Sequence, residues 1–299
     1  MSAPSASAHR AGSVAIVGRP NVGKSTLLNL LVGQKISITS RKPQTTRNRI
    51  TGILTRANAQ LVFVDTPGFQ REHRNALNRL MNRSVGQALQ GVDVVVWVIE
   101  ALRFDERDAA MLELMPEGIP VILVLNKVDR VKDKNELLPF IARVSERRAF
   151  GAIMPMSAER DKDAERLVQE IVKLLPEGPA IYEEDEITTH SERFLASELV
   201  REKLFRLLGD ELPYATAVEI EQFETTEALR RIHVAILVDK QNQKAIIIGK
   251  GGEKLKAIST QARHDMERLF GGKVYLEVWV RVRSGWADDP ATLRRLGVD

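Results

Sequence analysis

The stretch GRPNVGKST, Gly18 to Thr26, constrains this chain more than any other. It fits the spacing G-x-x-x-x-G-K-[ST] and lies between an apolar run, SVAIVG, and a helical pattern, STLLNLLVG, the setting in which such a loop wraps phosphate. Its glycines let backbone N–H groups close around the anion, and the helix N-terminus adds a partial positive charge. Lys24 is placed to reach the β and γ phosphates of a nucleotide, and the Ser25 hydroxyl to ligate Mg²⁺. Gly18, Arg19, Pro20, Asn21, Val22, Gly23, Lys24, Ser25 and Thr26 therefore form one candidate binding loop.

The pattern downstream is what such a loop requires. SVAIVG, LVFVD, VDVVVWVIE and PVILVLNK are candidate buried strands, AIMPMSA is a shorter fifth, and helical patterns separate them. The alternation predicts an α/β domain over residues 13–176, a mostly parallel sheet with helices on both faces. Ligands in such folds sit at the C-terminal ends of the strands, where the polar motifs after the first, second, fourth and fifth runs converge. Residues 1–12 are small and polar and read as a disordered tail. Residues 177–190 hold Pro, Gly and five acids and read as an interdomain linker. Beyond them the pattern is helix, strand, strand, helix, GKGG, helix, strand, a smaller α+β domain over 191–299.

Two further motifs specify the ligand. LVFVDTPG brings Asp65 to the polar end of a strand, where its carboxylate can hold the Mg²⁺ shell. Thr66 and Pro67 follow, and the Gly68 N–H can sense a γ phosphate. NKVD, Asn126 to Asp129, selects the base: the Asp129 carboxylate accepts from the N1–H and 2-amino group of guanine, and adenine offers neither donor. A mismatch of that kind discriminates by about 10⁴-fold or more. Asn126 would steady the loops, Lys127 would lie along the ring, and in SAE, after Ser157, the Ala158 N–H would face the guanine O6.

On these motifs, in this order, residues 14–175 resemble the translation-factor-related class of small GTPases. The resemblance implies that SRKPQTTRNRITG is the first switch, with Thr45 or Thr46 on Mg²⁺ only when GTP is bound. Thr46 is favoured because it directly precedes Arg47. Lys24, Thr46, Asp65 and Gly68 would then carry catalysis, and Ser25, Thr46 and Asp65 the metal. Arg41, Lys42, Arg47 and Arg49 read equally as an RNA-facing strip or a solvated one. Phe69 stands where Ras-like GTPases place the Gln that orients water, so slow intrinsic hydrolysis is expected. Asn21 matches the asparagine with which potassium-stimulated relatives hold K⁺, and K⁺ stimulation is the corresponding expectation.

The second feature that needs an explanation is IIIGKGGEKLKAI, Ile246 to Ile258. It has no G-K-[ST] ending, no following Asp strand and no base-reading motif, so it is not a second nucleotide loop. A plain connection between two helices, ended by glycine, is one reading. The other is a clamp with the spacing I-I-G-x-x-G-x-x-[IL], in which Ile248, Gly249, Lys250, Gly251, Gly252 and Lys254 meet a sugar-phosphate backbone. That spacing, with two strands before it and one after, resembles the type II KH domain, which grips about four nucleotides of single strand. Ile247, Ile248, Leu255 and Ile258 would mainly pack beneath the groove. Trp286 in the tail could stack on a base or staple the last strand.

Charge alone does not decide the matter. The net charge is +4, and residues 190–299 hold 18 basic against 17 acidic side chains, so nucleic-acid contact there depends on placement around the glycines. Cys is absent, which excludes disulfides and Cys-ligated metals, and no apolar run reaches the ~20 residues of a membrane span. The pairing of the two domains resembles a bacterial GTPase family of small ribosomal subunit assembly. That resemblance implies GTP, GDP and Mg²⁺ as ligands, with K⁺ as an additional one. It also implies a monomeric cytoplasmic chain on the 3′ end of small-subunit ribosomal RNA and the assembling subunit, with peripheral contact at the inner membrane. The alternative is a membrane-surface or cell-cycle regulator whose basic positions meet lipid or protein instead of RNA.

Overall fold

A run such as VVVWVIE has no polar face to give to water, so it forms a strand only where other elements cover it on both sides. In the computed structural model, which describes residues 8–40, 42, 45–68, 86–209, 211–289 and 292, that strand lies inside a six-stranded sheet. The strands are β1 (Arg10–Val17), β2 (Ile50–Arg56), β3 (Ala59–Asp65), β4 (Val94–Glu100), β5 (Val121–Asn126) and β6 (Ala152–Pro155), in the order β2-β3-β1-β4-β5-β6. All neighbours are parallel except β2, which runs antiparallel to β3. The helices are α1 (Lys24–Val32), α2 (Glu106–Glu113), α3 (Leu137–Ser145) and α4 (Ala164–Leu174).

Alternate residues of the central strands serve different layers. Val17, Val95, Trp97 and Leu123 form one buried cluster with Met111 of α2 and Phe140 and Val144 of α3. Ile16, Val96, Val98 and Val124 between them are equally buried, where α1 packs against the sheet and α4. Each such aliphatic side chain contributes about 1.5–3 kcal/mol by leaving water. All the loops that leave the C-terminal ends of β1, β3, β5 and β6 consequently emerge from a rigid edge.

Strand β2 was not expected from the sequence: ITGILTR lacks a long apolar run, and its first three residues belong to the switch pattern. It is an edge strand, paired to one neighbour, so little apolar sequence is needed to form it. The tail reading also gives way at its end, because β1 begins at Arg10 and the His9 ring lies 2.8 Å from the Gly178 carbonyl. Residues 177–189 run along this unit through backbone bonds. The Ile53 N–H donates to Ile187 O at 2.9 Å and the Thr188 hydroxyl to Thr51 O at 2.5 Å, which covers the open edge of β2. Gln60, fully buried in β3, accepts from the N–H groups of Ile181 and Tyr182 at 2.6 and 2.8 Å and donates to Tyr182 O at 2.9 Å.

Contacts divide the chain into two compact units. The first comprises the segment up to Ser37 with Arg49–Thr189, and the second comprises Ile38–Asn48 with the chain from His190 onward. In the second, β7 (Thr216–Thr225), β8 (Arg230–Val238) and β9 (Val274–Val282) form a sheet in that order, β7/β8 antiparallel and β8/β9 parallel. Helices α5 (Glu192–Leu207), α6 (Gln241–Ile248) and α7 (Glu253–Phe270) pack on one face, with Leu199, Val200, Val234, Ile236, Ile258 and Met266 in a common core. This is the α+β order that the sequence pattern implies.

Gln60→Ala deletes the three hydrogen bonds to Ile181 and Tyr182, along with one to Thr55. Limited proteolysis should cleave near Ile181 and Tyr182 faster in the variant, and hydrogen exchange at those two amides should quicken while β4 and β5 stay protected. Equal protection in both proteins would show that the segment is held by something other than Gln60.

Candidate functional site

At the C-terminal edge of the first sheet, the loop from Gly18 to Gly23 wraps over the start of α1. Lys24 is buried and its Nζ donates to the carbonyls of Gly18 and Arg19, both at 3.0 Å. Burial pushes its pKa down to about 8, partly opposed by the Asp65 carboxylate. Asn21 takes a left-handed conformation with φ 64°, which asparagine tolerates better than most residues. Ser25 and Thr26 lie in the first turn of α1, Pro20 packs against Gly68, and the Thr66 hydroxyl donates to Ile16 O at 3.1 Å.

The donor set for a hard divalent cation is assembled beside Lys24. The Ser25 hydroxyl donates to Asp65 Oδ2 at 2.7 Å, and Ser37, a residue the sequence motifs do not single out, donates to the same oxygen at 3.2 Å. Burial raises the Asp65 pKa, against the pull of Lys24 and these two hydroxyls. Its other oxygen, Oδ1, is buried without a hydrogen-bond partner. A buried carboxylate oxygen left unpaired beside a serine hydroxyl fits Mg²⁺, which takes few protein ligands and keeps water or phosphate for the rest. Thr45 and Thr46 are buried and belong to the second unit, whereas Ser25 and Asp65 belong to the first. Phe69 lies outside the described residues, as does Arg41.

Asn126 ties the base-reading loops together. Its Nδ2 donates to Val22 O at 2.6 Å, and its Oδ1 accepts from the N–H groups of Lys127 at 2.8 Å and Ala158 at 2.9 Å. Gly23 is required here, since a Cβ at that position would lie 2.2 Å from Asn126 Nδ2. The Ala158 N–H, expected to face guanine O6, is thus directed to Asn126 instead. Asp129 accepts from the Ser157 hydroxyl, the main reason its pKa falls below the usual carboxylate value. Asp163 in turn accepts from the Ser157 N–H at 3.2 Å.

Two placements refine the expected site. The Arg19 guanidinium is buried among carboxylates, 3.2 Å from Asp105, 3.4 Å from Asp108 and 3.8 Å from Glu100, so only its backbone is left to face phosphate. Glu100 also pairs with Lys127 Nζ at 3.1 Å, and so links the phosphate loop to the base-reading loop. The one signal for Glu100 in the sequence is its place at the polar end of the third apolar run.

In the second unit, Gly249 ends α6 with φ 75° and its N–H donates to Ala245 O at 3.0 Å. A side chain at that position would meet Lys254 Cβ at 2.8 Å. Lys250, Gly251 and Gly252 form one tight 3₁₀ turn and α7 starts at Glu253, so the backbone of the turn is bare while Lys250 and Lys254 flank it. Ile247 and Ile258 are fully buried, and Ile248 and Leu255 pack partly against the core. Trp286 is 3% exposed. That burial overturns its reading as a base-stacking residue and supports the staple.

A phosphate loop, a DTPG strand end, NKVD and SAE on one edge of a parallel sheet, followed by a glycine-clamped α+β unit, define a P-loop GTPase joined to a KH domain. Family models agree: residues 13–127 match "50S ribosome-binding GTPase" and residues 211–287 match "KH domain". The chain is 57% identical to GTPase Era of Nitrosomonas eutropha over 99% of this chain and 100% of that protein. It is 59% identical to GTPase Era of Neisseria meningitidis, with 98% and 96% covered. An Era variant from Aquifex aeolicus crystallised with GDP and AlF₄⁻ superposes with a TM-score of 0.91 at 40% identity, covering 97% of this chain and 99% of that one. A second Era structure, in complex with MgGDPNP and nucleotides 1506–1542 of 16S ribosomal RNA, superposes with the same TM-score, identity and coverage. The chain belongs to the Era family of GTPases.

Two outcomes follow from this geometry. Asp129→Asn replaces an acceptor with an amide, which matches the C2 carbonyl of xanthine better than the amino group of guanine. GTP binding should weaken by roughly 10²-fold or more and XTP should become the preferred ligand, as read by competition against a fluorescent nucleotide. Lys24 provides the second. With its pKa near 8, part of the Lys24 population is neutral at pH 8.5, and phosphate oxygens favour the ammonium form. Nucleotide binding should take up protons at pH 8.5 and scarcely any at pH 6, where Lys24 is already charged. Calorimetry in buffers of different ionisation enthalpy measures that uptake.

Proposed function

We propose that the chain is a GTP-hydrolysing switch that holds RNA near the 3′ end of the small-subunit ribosomal RNA while the small subunit is assembled. The observation that supports it best is the presence of both devices in one chain: an edge built to read guanine and phosphate, and a bare-backbone turn flanked by lysines. GTP or GDP would lie on the Gly18–Thr26 loop with its base between Asn126, Lys127, Asp129 and the Ser157–Ala158 turn. Mg²⁺, held by Ser25 and Asp65 and by Thr46 when GTP is present, would supply charge neutralisation between the β and γ phosphates.

This chain's own groups then act as follows. Lys24 balances charge on the γ phosphate, and the Gly68 N–H marks its presence. Domain limits follow the same division of labour, with the nucleotide read in 13–176 and RNA in 191–299. Among the described residues no helix is long and apolar enough to cross a membrane. We place the chain in the cytoplasm, with any membrane contact peripheral.

Ultraviolet crosslinking of the wild type and of Gly249→Asp/Gly252→Asp to total cellular RNA tests the reading. The wild type should recover small-subunit ribosomal RNA and the variant should lose most of it, because two carboxylates repel the backbone that the turn receives. Equal recovery would remove the clamp. Binding of the wild type to anionic vesicles, with no crosslinked RNA, would favour the membrane-surface alternative.

A further inference from the structure

Helix α5 carries buried charge on the side away from its core. Ala196, Leu199, Val200 and Leu204 join the core of the unit. Glu198, Arg201 and Glu202, at the i, i+3 and i+4 spacing of a single face, are all at most 5% exposed. A charged helix face ordinarily looks to water. Here it is covered by residues of Ile38–Asn48, which belong to the same compact unit.

The contacts are specific. Arg201 makes a two-point pair with Glu198, both bonds at 2.7 Å, and its Nη2 also donates to Thr45 O at 2.6 Å. Glu202 Oε1 accepts from the Thr39 N–H at 3.3 Å and hydroxyl at 3.2 Å, and Arg206 donates to Thr39 O and Oγ1 at 3.2 and 2.9 Å. Lys42 Nζ caps the end of α5 by donating to Leu208 O and Gly209 O at 2.6 and 2.8 Å. Arg47 is buried and donates to the carbonyls of Thr216, Pro213 and Tyr214 at 3.1 to 3.3 Å. The fit is incomplete: Arg201 Nη1 is buried without a partner. Burial and the nearby Arg201 together push the Arg47 pKa down to about 9. A buried ionic network with unmet groups is poised to open, because water would satisfy what the protein does not.

We propose that this face of α5 is a latch for the first switch, in which Arg201, Glu202 and Arg206 hold Thr39 and Thr45 of that segment within the second unit until GTP withdraws them. The proposal rests on the reading that this segment supplies Thr46 to Mg²⁺ in the GTP state. GTP then binds only the fraction of molecules whose latch has opened, and its apparent affinity is reduced by that fraction. GDP makes no demand on Thr46 and is spared this cost. Ser37, two residues before Thr39 in the chain, bonds Asp65.

The test uses the full chain and two variants altered on the segment's side, which leave the pairs within α5 intact. Thr39→Ala/Lys42→Ala removes the hydroxyl bond to Glu202, the Arg206 bond to the Thr39 hydroxyl and the cap on α5, and leaves only the backbone bonds of residue 39. Arg47→Met removes the three carbonyl bonds with little change in volume. Dissociation constants for GDPNP and GDP are measured with Mg²⁺ by calorimetry, and circular dichroism and thermal melting check that each variant folds. The expected result is GDPNP binding about tenfold tighter, from the loss of a few charge-assisted bonds, with GDP binding unchanged within about twofold. Faster hydrogen exchange over residues 39–47 in the GDP state should accompany it. No change for either nucleotide, or an equal change for both, overturns the latch. Thr46→Ala separates the two ideas: loss of Mg²⁺-dependent GDPNP binding with GDP unaffected supports the switch reading, and retention defeats that reading directly, whatever the latch variants do.

Discussion

The side-chain amide of Asn126 sits where three loops meet, and the geometry of the nucleotide edge depends on it. One end donates to Val22 O in the phosphate loop and the other accepts from the Ala158 N–H in the turn after β6. A carboxylate would repel the first contact and an alkyl group would leave both partners unmet. Leaving a buried backbone group unpaired costs about 1–3 kcal/mol, so the three loops are coupled by more than the ordinary worth of a hydrogen bond. The sheet supplies the frame, since parallel strands β1, β5 and β6 all end on this side. Asn126 turns that frame into a site of fixed width, with Asp129 three residues further on.

Charge burial is the second constraint, and it differs between the two units. In the first, Lys24 and Asp65 are buried close to one another, each destabilised by the loss of water and relieved by the other. Phosphate would complete the environment of the lysine, and a divalent cation that of the carboxylate. In the second, Arg47 and Arg201 lie near each other with Glu198 as the balancing charge, and backbone carbonyls from Pro213 to Thr216 complete the set. Neither cluster is an economical way to stabilise a fold, because well-packed apolar residues would do as well or better. Their cost is understandable where a group must change partners during a cycle.

Much of this was legible in the amino-acid order, and the physical reason is the strength of two kinds of local signal. Continuous apolar runs located β1, β3, β4, β5 and β6, and motif spacing pointed to Lys24, Asp65, Asn126 and Asp129, which the strand ends bring to one edge of the sheet. Strand β2 was not legible: at a sheet edge its residues need little apolar character. The docking of residues 177–189 was not legible either. Its five acids suggested a solvated linker, yet what holds it is backbone hydrogen bonding together with side chains distant in sequence, Gln60 among them. Trp286 read ambiguously because an indole suits stacking and packing equally, and only its burial decides between them. Ser37 and Glu100 carry no motif, since their roles come from partners far away in sequence.

The two glycine-rich loops show why spacing outweighs composition. Both place N–H groups and lysine near anions, but they hold the lysine differently. Lys24 is drawn inward, its Nζ on the carbonyls of Gly18 and Arg19, contacts that a compact polyphosphate would replace within a closed loop. Lys250 instead opens a 3₁₀ turn whose next residue, Gly251, takes φ 60°, so backbone and side chain face outward together. A closed loop suits a small ligand whose bonds are to be broken. An outward turn suits a polymer that must slide in from the side and leave intact; its lysine would then act through phosphate charge, and the bare glycine backbone would set how near the chain can come.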